Sequence, residues 1–281
     1  MSQSALEDSL VRAEGLLIEG ADEDAERMLA RLAEDAEEYV DRNCPTTDEL
    51  QWFAFPTIFE RLCYRRVEED PRELRDVGEP FGRMYNDLAL AQVRLGDYAA
   101  AAEALKRAIR WNPMDCGARL DLAHMYMTNG DMNEFLGLTF SVFERASDAR
   151  HLVRAFLNFA GYFVQTKKPQ AAAAALRCAR RLEMPDPALE ETLKAAAGTD
   201  QDPDKLTDEQ ATQILAEEGL PDAANAEVAV CLLMCASDAA AAGDRAQATT
   251  WTVAARDLVG APACSALMQL INEGDTSQEG E

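Results

Sequence analysis

The feature that most constrains this chain is a turn that returns at a nearly fixed interval. Leu95-Gly96-Asp97-Tyr98 is followed 34 residues later by Asn129-Gly130-Asp131-Met132, and 37 residues after that by a third break, Lys167-Lys168-Pro169. Between the first two turns stands a tryptophan-asparagine-proline stop, Trp111-Asn112-Pro113. A period of this length, with one break at each turn and one midway, marks a two-helix unit repeated along the chain. One such hairpin cannot bury its apolar face alone, so neighbouring units must stack.

The side chains between the breaks support helices that cross closely. Alanine dominates the composition and loses no side-chain entropy on joining a helix. In residues 82–115, Tyr85, Leu88, Ala89, Gly96, Tyr98, Ala101, Leu105, Ala108 and Pro113 alternate large, small and turn residues. Alanine at a hairpin crossing lets two helices approach, while leucines and aromatics fill the gap to the next pair. Residues 116–149 repeat the pattern through Leu122, Ala123, Tyr126 and Gly130, with a bulky Phe135 where a small residue is expected. Residues 153–186 repeat it through Phe156, Phe159, Ala160, Phe163, Ala172, Leu176 and Ala179. A more degenerate unit spans about 229–262, with Ala236, Gly243, Ala248 and Ala255, and the hairpin at 4–41, with Gly20, Ala25 and Leu29, is a further candidate.

This pattern resembles the tetratricopeptide repeat. The resemblance implies an all-α, right-handed helical solenoid with helical flanks, and a protein- or peptide-binding role for its concave groove. The chain also resembles a group of bacterial tetratricopeptide proteins through its acidic helical start, its Glu79-Pro80-Phe81 entry and its Ile214-Leu215-Ala216-Glu217-Glu218-Gly219 segment. That second resemblance implies no biochemical activity.

The expected organisation is an acidic helical region at 1–81, three consecutive repeats at 82–186, C-terminal helices at 187–272 and a disordered acidic tail at 273–281. Within the first region a long helix is expected from about Thr47 to Glu69, kinked at Pro56 because proline cannot donate the backbone bond. Residues 71–80 read as a connector, 198–204 as an acidic linker, and no strand is expected.

Charge narrows the partners. The net charge is −24, which argues against nucleic acid because phosphate binding needs clustered cations. The acidity sits in the flanks: residues 1–81 sum to −13 and 187–281 to −14, while 82–186 sum to +3. No apolar run has the length of a membrane helix. The seven cysteines are odd in number and irregularly spaced, with no Cys-x-x-Cys pair, which fits the cytoplasm. Cys231 and Cys235 lie one helical turn apart but read as small buried hydrophobes, and no metal or cofactor is expected.

No glycine loop for phosphate, nucleophile elbow or zinc-protease helix is present, and the two histidines, His124 and His151, leave little for acid–base catalysis. The chain is therefore expected not to be an enzyme. Register from the turn glycines assigns Arg83, Asn86, Leu90 and Arg94 to the groove in the first repeat, with Asp87 beside them. It adds His124, Met127 and Thr128, beside Asp121, in the second and Arg154, Asn158 and Gln165, beside Leu157, in the third. Arginines and amides suit an extended peptide, since amides satisfy backbone groups and arginine grips carboxylates. A clamp for the C-terminal carboxylate of heat-shock chaperones is rejected, because Asn86, Leu90, Asp121 and Asn158 replace its lysine, asparagines and arginine, leaving only Arg154. Two other readings stand beside the scaffold: a self-assembling structural protein, and an enzyme with a site between solenoid and flanking helices. A further possibility is that an acidic flank lies in the faintly basic groove.

Overall fold

The computed structural model describes residues 3–278, with side chains from Ala5 to Ile271. Fourteen α-helices, a short 3-10 helix at Pro203–Lys205 and one two-stranded sheet are the regular elements of the described residues. The helical-repeat fold expected from the sequence is the fold observed. The chain divides into two compact units, Met1–Phe135 and Leu136–Glu281. The division falls inside the second expected repeat.

The first unit opens on a hairpin of α1 (Gln3–Glu19) and α2 (Asp22–Asn43). A second hairpin, α4 (Phe81–Arg94) with α5 (Tyr98–Trp111), packs against α2, and α6 (Cys116–Thr128) packs against α5. First helices thus form one layer, α1, α4 and α6, and second helices, α2 and α5, form the other. Met132–Arg145, α7, carries the division between the units. Ala101, Ala104, Leu105 and Ala108 on α5 are buried, as are Tyr85, Leu88 and Ala89 on α4.

The turns explain the spacing. After α1, α4, α6, α8 and α12 the chain closes with the same bond, from the second or third residue past the helix back five residues. These are Ala21 N–H to Leu16, Asp97 to Gln92, Asp131 to Tyr126, Lys168 to Phe163 and Asp244 to Ala239, at 2.8–2.9 Å. The bond requires a left-handed residue just before it. Gly20, Gly96, Gly130 and Gly243 supply that at φ between 76° and 83°, and Lys167 adopts φ 60° without being glycine. Nothing lies within 4 Å of a Cβ placed on Gly96, so an alanine there meets backbone strain alone. Gly96→Ala is expected to cost about 1 kcal/mol, read as a shift in urea midpoint at unchanged slope.

Residues 47–80 correct the sequence expectation. In place of a kinked helix from Thr47 to Glu69, β1 (Leu50–Phe53) and β2 (Glu73–Asp76) pair in parallel around α3 (Ile58–Glu68). Leu50-Gln51-Trp52-Phe53 is too aromatic to favour helix, and Pro56 ends it before one can form. Thr57 then caps α3, its side chain accepting from Phe59 N–H while Glu60 reaches back to the Thr57 N–H at 3.0 Å. Glu69, left-handed at φ 49°, ends it. The chain is therefore not strictly all-α, but the sheet lies outside the hairpin stack. It joins α5 at one end, where Ala54 N–H donates to Trp111 at 2.9 Å and Arg110 Nη1 to the Trp52 carbonyl at 2.9 Å.

The second unit holds the hairpins α8 (Ala149–Gln165) with α9 (Pro169–Arg181) and α12 (Ala226–Ala241) with α13 (Arg245–Val259). Between them, α10 (Pro187–Ala196) and α11 (Asp208–Glu217) pack on α9. Five consecutive alanines, 171–175, are buried on α9. Ala172 is fully buried, as a crossing residue should be, whereas Ala248 is only half-buried, beside α14 (Ala261–Gln278). The acidic stretch 198–204 is bonded: Asp202 accepts from the Gly198 and Asp204 N–H groups, and Arg177 Nη1 donates to the Pro203 carbonyl at 3.1 Å. Helix α14 continues through Gln278, so the tail expected to lack order is helical over part of its length. Its last three residues, 279–281, lie outside the described residues.

Candidate functional site

Seven of the ten sequence-derived groove residues lie in the first unit and three in the second. In the first unit, Arg83, Leu90, Arg94, His124 and Thr128 are exposed, and Asn86 and Met127 are half-buried. In the second, Arg154 and Asn158 are half-buried and Gln165 is exposed. Asn158 Nδ2 donates to the hydroxyl of buried Thr139 at 3.3 Å, a bond within the unit.

The two arginines of α4 are already engaged. Arg83 Nε donates to Glu14 Oε1 at 2.5 Å, and Arg94 Nη1 donates to the Leu17 carbonyl at 2.7 Å and to Asp22 Oδ1 at 3.1 Å. Both sets of partners come from the N-terminal hairpin. These carboxylates sit on the adjoining α1–α2 hairpin, whose first helix packs beside α4. Thr128 Oγ1 donates to the His124 carbonyl at 2.9 Å, a bond within α6.

That alignment brings in residues the sequence reading left out. Matching Gly20 to Gly96 and Gly130 places Val11 level with Asp87 and Asp121, Glu14 level with Leu90 and His124, and Ile18 level with Arg94 and Thr128. Val11 is 58% exposed, Ile18 87% and Leu90 42%. These aliphatics add exposed apolar surface to a layer that also carries polar side chains. The signal was present in the sequence, because Gly20 carries the same register as the other turn glycines.

Polar groups along α4 are incompletely satisfied. Among the described residues, the buried side-chain oxygens without a hydrogen-bond partner are Glu79 Oε2, Asn86 Oδ1, Asp87 Oδ2 and Gln92 Oε1, all on α4 or just before it. Asn86 does use its other end, donating from Nδ2 to Asp115 Oδ2 at 2.8 Å. Burial, reinforced by the charge of Glu14 and opposed by Arg83, pushes the Asp87 carboxyl up to about 6. A raised carboxyl stabilises the fold below the unfolded value of about 4 and loses that contribution as pH climbs to about 6. Asp87→Asn is therefore expected to raise stability at pH 7.5. The full shift corresponds to about 3 kcal/mol, reduced by solvent screening at this half-buried site to about 1 kcal/mol. Thermal melts of variant and parent should converge near pH 4; an unchanged difference there would contradict the assignment.

All seven cysteines are buried with no disulfide among them, and burial holds the Cys178 thiol at about 11, far from a nucleophile's range. Among the described residues no cluster of three or more histidines, cysteines and carboxylates is placed to hold a metal, and no helix is long and apolar enough to cross a membrane.

Comparison with known proteins bears on the same helices. The family model described as tetratricopeptide repeat matches residues 82–114, which are α4, α5 and the stop after them. No curated protein matches the sequence. A solved structure described as the functional characterization of Pseudomonas aeruginosa pilF is similar over 96% of this chain and 98% of its own, at 16% identity and a TM-score of 0.46. A likeness that loose says nothing about function. The sequence match and the build of the α4–α5 hairpin agree that this chain carries a tetratricopeptide repeat at residues 82–114.

Proposed function

We propose that the chain is a non-catalytic scaffold that binds another polypeptide along the first-helix layer of its first unit, formed by α1, α4 and α6. Repeats of this kind support protein interaction in general. The observation that carries the specific reading is the exposure of Val11, Ile18 and Leu90 on that one layer. Aliphatics grouped by register on one layer are what a partner's apolar side chains would cover. In the second unit, taken by itself, Arg154, Asn158 and Gln165 remain a separate candidate surface, with a smaller share in binding. The buried cysteines suit a reducing compartment, and the proposed site of action is the cytoplasm.

The test compares capture of native partners by the parent chain and by a double variant, Ile18→Asp with Leu90→Asp. Leu62→Asp, on the exposed face of α3, is the control. The scaffold reading expects at least about a tenfold loss of a reproducible partner with the double variant and none with the control, as two buried aliphatics contribute more than 1.4 kcal/mol. Equal capture by all three would overturn it. Retained capture with loss of self-association would favour a structural assembly.

A further inference from the structure

We infer that the occupant of the first-unit layer is a segment bearing aliphatic side chains flanked by lysine or arginine. This rests on the scaffold reading and adds the ligand's chemistry. It also reverses the sequence-based expectation, in which the arginines of α4 grip carboxylates.

The reversal follows from what the arginines already touch. Arg83 is held by Glu14, and Arg94 by Asp22 and the Leu17 carbonyl. An incoming carboxylate would compete with partners fixed on the adjoining helix. The charge on α1 and α4 of the layer is negative: by register they carry Glu7, Glu14 and Asp87 against Arg83 and Arg94, a sum of −1. Asp22 and Asp115 border it and deepen the potential. Asp87 also keeps a buried carboxylate oxygen with no hydrogen-bond donor. A cationic group beside this half-buried side chain would add opposite charge.

The apolar element is equally specific. Val11 and Ile18 are two turns apart on α1, so they share a face, and Leu90 stands level with Glu14 on α4 between their levels. Aliphatic and acidic positions therefore alternate across the layer. Aliphatics meeting Val11, Ile18 and Leu90, with cations meeting the acids between them, complement both properties at once.

The experiment uses the full chain and two fluorescein-labelled 18-residue peptides with leucine at helical spacing of three and four. One carries lysine at the remaining charged positions and the other glutamate. Anisotropy titrations at two salt concentrations compare the parent chain with three variants: Ile18→Ser with Leu90→Ser, Asp87→Asn with Glu7→Gln, and Glu217→Gln with Glu218→Gln. The last pair removes acids from the second unit and controls for attraction to a chain of net charge −24. The expected result is binding of the lysine peptide, weakened at least about tenfold by either layer variant and less than about twofold by the control. Equal weakening by all three, tighter binding of the glutamate peptide, or no binding of either peptide overturns the inference. If natural-partner capture still depends on Ile18 and Leu90 in those cases, the scaffold reading stands without it. Circular dichroism melts of each variant identify losses that come from unfolding.

Discussion

Replacing Phe156 by alanine is expected to lower the stability of the second unit by about 3–5 kcal/mol, the range for emptying a buried phenylalanine site. The ring is fully buried on α8. It meets Phe143 of α7 edge-on, at a centroid distance of 4.8 Å and 65° between planes. Phe143 in turn lies 6.0 Å from Phe159, which lies 6.2 Å from Phe163. The four rings link one face of α8 to α7, so no single neighbour can collapse into the gap. Phe156→Leu keeps most of the volume but loses the edge-to-face geometry, worth about 1 kcal/mol, and should fall between parent and alanine variant. Guanidinium unfolding followed by circular dichroism reads the series. A loss below about 1 kcal/mol for Phe156→Ala would mean that this ring is not the centre of the unit's core.

A second large effect is expected at Asp70, in the β1–α3–β2 segment. Asp70 is buried, accepts from the Tyr64 hydroxyl at 2.8 Å, and is clasped by Arg72 through Nε at 2.9 Å and Nη2 at 2.7 Å. Arg72 continues to Gln51 on β1 at 3.1 Å, so one carboxylate ties the end of α3 to both strands. Asp70→Ala leaves a guanidinium and a phenol without their partner. Breaking a buried pair this way costs about 3–5 kcal/mol, and the partial exposure of Arg72 places this case near about 3 kcal/mol. The Arg72 hydrogen bonds hold the Asp70 carboxyl well below the usual carboxylate range. With the folded value depressed, the pair's contribution is present above about pH 4 and is lost as pH falls below it. The alanine variant should therefore lose part of the parent's acid sensitivity, and parallel pH profiles for the two would contradict this role.

What could be read from the sequence was set by local chemistry. Gly20, Gly96, Gly130 and Gly243 announce their turns because each must take a left-handed conformation that other residues resist. Lys167 takes the same conformation without glycine, and only the following Lys168-Pro169 gave that turn away. The small sheet was missed for the opposite reason. Two four-residue strands separated by a helix leave no periodic signal, and their pairing is a contact between positions more than twenty residues apart. Thr57 and Glu60 form the capping box that would have moved the helix start past Pro56.

The candidate surface was legible in position but not in character. The register assigns Arg83, Leu90 and Arg94 to the candidate surface, and all three are exposed on α4. Their charge, however, is balanced by Glu14 and Asp22, which lie about seventy residues away in the chain. Such pairings come from the stacking of hairpins and have no local signature. Val11 and Ile18 were overlooked because an aliphatic on an amphipathic helix reads as core. Only the stacking of α1 beside α4 turns that face outward.

The most direct measurement of the central claim is amide chemical-shift mapping on the isotope-labelled chain, titrated with a partner captured through the layer. The expected shifts cluster on residues 7–18 of α1, 83–94 of α4 and 117–128 of α6, sparing α2, α5 and α3. Shifts concentrated on α3 or on the second helices, with α1 and α4 silent, would show that the exposed Val11, Ile18 and Leu90 do not meet the ligand.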